Sequence, residues 1–155
     1  MLLVIFLWIV LSDVYPVAEL LLEKMQIVNI TEKDLKDSVI LLAEHDIGDT
    51  DNETINGKHI ASILSKDWGF SYTVTTNLQH VKEYADKSPL GEADNLLVKQ
   101  RIARLLDIIE KAPKSLRWTT RARIGTKKKW YQDVEELRIG GEFERELAKH
   151  LNKKK

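Results

Sequence analysis

Eight Lys or Arg residues lie between Lys111 and Gln132 (KAPKSLRWTTRARIGTKKKWYQ), with no Asp or Glu among them. The whole chain carries 24 basic and 24 acidic residues, so the remainder holds 16 against 24, a net of −8. A neutral total conceals a cationic island in an acidic surround, and the local field matters more than the sum. Arg117, Arg121, Arg123, Lys127, Lys128 and Lys129 are the groups suited to anion capture. A guanidinium presents a planar fork of donors that matches phosphate oxygens, and each phosphate neutralised releases condensed counterions.

Bond-making chemistry is poorly represented. The chain has no Cys, which excludes disulfides, thiolate catalysis and Cys-based zinc sites and fits a reducing compartment. No P-loop, GxGxxG or GxSxG stretch occurs. Asp49, Asp51 and Glu53 have EF-hand-like spacing, but Thr54 stands where a glycine is needed and Ile60 where a Glu is needed. Glu44, His45, Asp46 and His59 gather near one loop without a zinc-ligand spacing. No catalytic residue, metal site or cofactor is expected.

Among the basic residues, positions 116–124 alternate in polarity. Leu116, Trp118, Thr120, Ala122 and Ile124 fall on one side, Arg117, Thr119, Arg121 and Arg123 on the other. A period of two predicts a half-buried strand. With a turn at Gly125-Thr126 and a return along Lys127 to Leu137, it predicts a basic β-hairpin over 113–139 that sets the arginines in a row. Trp118 and Trp130 would anchor the hairpin beneath, with stacking on unpaired bases as their other use.

The rest reads as helical. Pro16 suits the first position of a helix over PVAELLLEKM. Thr31-Glu32-Lys33-Asp34 has the form of a capping box opening a helix to about Glu44. Residues 46–57 are polar and read as a loop. Gly57 to Trp68 predicts a helix stopped by Gly69, and Thr73 to Ala85 predicts another. Asp94 opens a long helix to Lys111 with Val98, Ile102, Leu105 and Ile109 at heptad-like steps. That helix is either central to the core or half of a dimer seam over 94–112.

Lys58 to Tyr84 (KHIASILSKDWGFSYTVTTNLQHVKEY) resembles a helix-turn-helix unit. Ile60-Ala61 with Leu64 is similar to the first helix of that family, Gly69-Phe70-Ser71 to its turn, and Thr73-Val74-Thr75 to the start of its recognition helix. Ser65 to Trp68 adds about one turn before the glycine, and the basic hairpin is a wing only by loose analogy. The resemblance implies that Tyr72, Thr73, Thr75, Thr76, Asn77 and His80 face base edges in the major groove.

The first eleven residues, MLLVIFLWIVL, are all apolar. They lack the positive start of a signal peptide and fall short of the about 20 residues of a membrane span. A buried strand or helix is the expectation, and membrane association is not.

Together these readings predict a mainly α single domain with a small β-hairpin (α+β) and a helix-turn-helix or winged-helix-like core. Its parts are an apolar segment and helix over 1–30, helix-turn-helix-like helices over 31–86, the long helix over 92–112, the basic hairpin over 113–139, and a C-terminal helix with a Lys tail over 140–155. The expected role is non-enzymatic nucleic-acid binding in the cytoplasm, as in a small transcriptional regulator, with DNA favoured over RNA and a homodimer through 94–112. Two alternatives stand beside it: an interaction module or small-assembly subunit that docks an acidic partner through the basic segment, and a peripheral membrane protein anchored by 1–11.

Overall fold

Local capping signals decide where the helices begin. The computed structural model describes Tyr15–Tyr131. The apolar segment at 1–11 and the C-terminal helix expected over 140–155 lie outside the described residues. The chain divides into two units, Met1–Gly125 and Thr126–Lys155, and the architecture below belongs to the first.

Helix α1, Val17–Met25, follows Pro16, whose carbonyl accepts from Glu19 and Leu20. Helix α2, Glu32–Glu44, opens on the expected box: Asp34 N–H donates to Thr31 Oγ1 at 3.3 Å and Thr31 N–H donates to Asp34 Oδ2 at 3.4 Å. Lys24 of α1 reaches Asp37 at 3.0 Å and Asp34 at 3.4 Å, tying the two helices together. The Thr31 hydroxyl and the Lys24 ammonium hold the Asp34 carboxyl below the usual range, against the opposing effect of burial. Partial burial works against the Lys24 ammonium, but Asp37 and Asp34 outweigh it and raise its pKa.

The polar stretch after α2 is more ordered than a plain loop. Strands β1, Ile47–Gly48, and β2, Ile55–Asn56, pair in parallel with Ile47 opposite Ile55. Both isoleucines are buried, so the short ladder pins the loop to the core. Asn56 then accepts from His59 N–H at 3.0 Å and starts helix α3, Gly57–Leu64. A Cβ at Gly57 would sit 2.9 Å from Ile108 Cδ1 and 3.2 Å from Ile47 Cγ2, so a side chain there would have to push both isoleucines aside.

Helix α4, Trp68–Ala85, starts five residues earlier than Thr73. Asp67 accepts from Phe70 N–H at 3.0 Å, and that cap places Gly69 inside the first turn rather than at a break. Helix α5, Glu92–Lys111, packs against α2, α3 and α4. Val98, Ile102, Leu105 and Ile109, the heptad-like positions, are all buried in the chain's own core.

The strand expected at 116–124 is instead helix α6, Leu116–Ile124. Ser115 Oγ accepts from Trp118 N–H at 3.1 Å and nucleates it. Thr119 and Thr120, residues counted toward a strand, return their hydroxyls to the carbonyls of Ser115 and Leu116 at 2.8 and 2.9 Å. Gly125, at φ 57°, ends the helix in a conformation that L side chains avoid. Ser115 N–H also donates to Ser65 O at 3.0 Å, fixing the start of α6 against the end of α3. A 3-10 turn, Gly125–Lys127, comes next in the chain. The expected return strand runs mostly outside the described residues.

The described residues are therefore mainly helical, with one two-strand parallel sheet. None of their helices is long and apolar enough to cross a membrane.

Candidate functional site

Three side chains, two of them reaching across the chain and one local, cap helix C-termini and so set how the elements meet. Asn77 Nδ2 donates to Met25 O at 2.9 Å and Ile27 O at 2.7 Å, closing α1. Arg101 Nη1 donates to Leu42 O at 2.8 Å and Ala43 O at 2.7 Å, closing α2. Lys114 Nζ donates to the carbonyls of Ile109, Glu110 and Ala112, closing α5. Each positive or donor group meets carbonyls that the helix leaves unpaired, where the helix dipole is negative. Partial burial lowers the pKa of Lys114, with the nearby Glu110 opposing that shift.

Lys114 also turns the chain from α5 into α6, and the corner opens a groove of about 530 Å³ between α4, α5 and α6. Its walls are aromatic. Trp68 and Tyr72, one turn apart on α4, stack with centroids 5.2 Å apart and planes at 20°. Trp118 of α6 forms another wall, and Leu106 and Ile109 are apolar lining from α5. Two cations cover ring faces: the Arg121 guanidinium is 4.9 Å from the Trp68 centroid and Lys114 Nζ is 5.6 Å from that of Trp118. Thr75, Gln79 and Glu110 add polar groups. The Trp118 indole N–H is buried with no acceptor among the described residues.

The helical form of α6 rearranges the arginines. Arg117 and Arg121, four residues apart, share a side, whereas Arg123 lies about 120° around the helix from Arg117. The row expected of a β-hairpin is not formed. Arg117 and Arg123 are exposed; Arg121 is half-buried and donates to Gly125 O at 2.7 Å. Lys127, Lys128 and Lys129 are exposed and belong to the second unit, where Lys129 Nζ lies 5.0 Å from the Tyr131 ring.

The expected base-reading set also divides. Thr73 and Asn77 are buried, with the Thr73 hydroxyl bonded to Gly69 O at 3.1 Å and Asn77 committed to α1. They are structural residues, because α4 begins at Trp68 and turns that face inward. Tyr72 and Thr75 line the groove, Thr76 is half-buried and His80 is exposed. Trp68, Gln79, Glu110 and Lys114 were not anticipated. The signals for them were local: Trp68–Tyr72 is an i, i+4 pair, visible only once that stretch is read as helix, and Lys114 lies just before the Ser115 cap of the helix that carries Trp118.

His59 Nε2 lies 2.5 Å from Glu19 Oε1, and His45 Nδ1 lies 3.0 Å from Glu53 O. Among the described residues no group of three His, Asp or Glu side chains could hold a metal ion. Compared with known proteins, the chain matches no family model, no curated protein and no solved structure.

Proposed function

We propose that the protein is a non-enzymatic nucleic-acid-binding module whose contact face is the groove between α4, α5 and α6 with the adjoining arginines. The observation that carries this reading is the Trp68–Tyr72 stack facing Trp118, with Arg121 and Lys114 on the rings. Aromatic platforms beside cations suit a chain of stacked bases and phosphates, since every base has a π-face and every linkage a negative charge. Arg117 and Arg121 supply phosphate contacts on one side of α6. The buried Thr73 and Asn77 leave major-groove readout by α4 with a reduced set, Tyr72, Thr75, Thr76 and His80.

The test is fluorescence anisotropy of labelled oligonucleotides over a salt series. Affinity should fall with salt at a log–log slope of about −0.7 per phosphate neutralised on a single strand. Affinity that stays constant between about 50 and 200 mM salt overturns the reading.

A second reading, docking on an acidic protein, is favoured by one observation. Leu116 is 87% exposed and Ile124 43%, and with Thr120 they form an i, i+4, i+8 ridge on the outer side of α6, flanked by Arg117 and Arg123. Under that reading Arg117→Glu with Arg123→Glu abolishes capture of the partner while no nucleic acid binds at any salt.

A further inference from the structure

The groove has a chemistry that narrows its ligand, granted the nucleic-acid reading above. At about 530 Å³ it lies within the roughly 300–1,000 Å³ range of small-molecule sites. Three aromatic side chains call for a flat guest. A cationic guest of the aromatic-cage kind is disfavoured, because Arg121 and Lys114 already place two positive charges beside the rings of Trp68 and Trp118. A wholly anionic guest is disfavoured in turn by Glu110 on the lining. What remains is a flat guest with hydrogen-bond donors on one edge and negative charge elsewhere.

Glu110 supplies the discrimination. It is exposed, and its side chain makes no hydrogen bond or ion pair among the described residues, so both carboxylate oxygens can accept. Its backbone carbonyl, by contrast, is engaged by Lys114. A carboxylate accepts and cannot donate at neutral pH. The base edge that satisfies it best presents two adjacent donors, as the ring N–H and exocyclic amine of guanine do. Uracil and thymine offer a single N–H between two carbonyl oxygens, which a carboxylate repels. The pairing edge of a base is covered in a duplex and available only in a single strand.

We infer that the groove takes one unpaired guanine of a single-stranded nucleic acid, stacked against Tyr72 and Trp118 with its pairing edge on the Glu110 carboxylate. Arg117 and Arg121 then hold flanking phosphates. The sugar contributes nothing to this recognition, so ribo- and deoxyribo-strands are bound through the same contact.

The experiment uses the full chain and labelled strands of about ten nucleotides, a typical single-strand site size. The strands are all-thymine, thymine with one central guanine, the uracil–guanine ribo-equivalents, and a guanine-containing duplex. The guanine strand should bind about tenfold tighter than the all-thymine strand, within the range a bidentate base contact provides. Glu110→Gln should remove that preference, chiefly by letting the all-thymine strand bind as tightly as the guanine strand does. Tyr72→Leu, at an exposed position, should weaken both single strands and not the duplex. Trp118→Leu should do the same, provided its circular dichroism is native. Equal affinity for guanine and thymine strands, or a preference that survives Glu110→Gln, overturns the guanine site while general binding stands. Duplex binding as tight as single-strand binding, unmoved by either aromatic variant, also overturns it. Failure of every strand to bind at low salt overturns both readings together.

Discussion

Asn77 separates a structural role from a recognition role at a single residue. Its side chain is 2% exposed and its amide donates both hydrogens, to Met25 O at 2.9 Å and Ile27 O at 2.7 Å. Asn77→Ala removes two hydrogen bonds, each with a net value of about 1 kcal/mol, and leaves a buried carbonyl partly unpaired at a further cost of about 1 kcal/mol or more. The sum is about 3 kcal/mol, which for a chain of this size lowers Tm by roughly 10 °C. Asn77→Asp is the sharper variant. It preserves shape but turns a donor into an acceptor facing two acceptors, so at neutral pH it should be less stable than Asn77→Ala. Acidification should narrow the gap, because a protonated carboxyl regains one donor. Thermal unfolding followed by far-ultraviolet circular dichroism reads these differences. Oligonucleotide affinity of the folded fraction should not move for either variant. An Asn77→Ala protein within about 0.5 kcal/mol of the parent, or an Asn77→Asp protein more stable than Asn77→Ala at pH 7, would refute the capping account.

Three further outcomes are expected. In the salt series, Arg117→Ala should make the log–log slope shallower by about 0.7; Arg123→Ala, on the other side of α6, should change it less, and equal effects would argue against the groove-side contact. The depressed Asp34 and raised Lys24 pKa values have opposite pH limbs. Asp34 stabilises the fold above its unfolded value of 3.8 and loses that effect as pH falls through its lower folded value; Lys24 stabilises below 10.5 and loses that effect as pH rises through its higher folded value. Urea unfolding across pH should show both limbs in the parent, and the acid limb should flatten in Asp34→Ala. Gly125→Ala forces a side chain to φ 57° and ψ −143° at a cost of about 1–3 kcal/mol. Because α6 contains no buried residue, the damage should appear as faster amide exchange over 116–124 with little change in Tm, and uniform loss of protection elsewhere would contradict it.

Signals confined to one turn of chain were legible, and signals spread over fifty residues were not. The Thr31–Asp34 box is complete within four residues, and its helix starts where the box puts it. The buried stripe of α5 is repeated often enough to survive an error of two residues at its start. The caps of Asn77, Arg101 and Lys114 differ in kind. Asn77 and Arg101 reach carbonyls 50 to 59 positions away, and nothing in the local spacing of an Asn or Arg announces such a partner. Asn77 therefore read as a base-facing residue when it is an internal strut.

The error over 116–124 has a different cause. Nine residues span four and a half periods of a strand but only two and a half turns of a helix, so strict alternation there outweighs a helical pattern on counting alone. The deciding terms are not hydrophobic. Ser115 supplies the cap, two threonines bond backward to carbonyls within the same segment, and Pro113 sits just before the cap. Those bonds exist only in the helical conformation, so they stabilise it without leaving a polarity period. The same misreading hid the groove. With 116–124 drawn as a strand and the helix from Gly57 ending at Trp68, Trp68 and Tyr72 do not pair and Trp118 is not brought beside Lys114. Once both stretches are helical, the two pairs become adjacent walls, and Arg121 lies over Trp68 rather than in a row with Arg123. A positive charge density written in the sequence thus became, through one change of secondary structure, an aromatic pocket rimmed by cations instead of a basic finger.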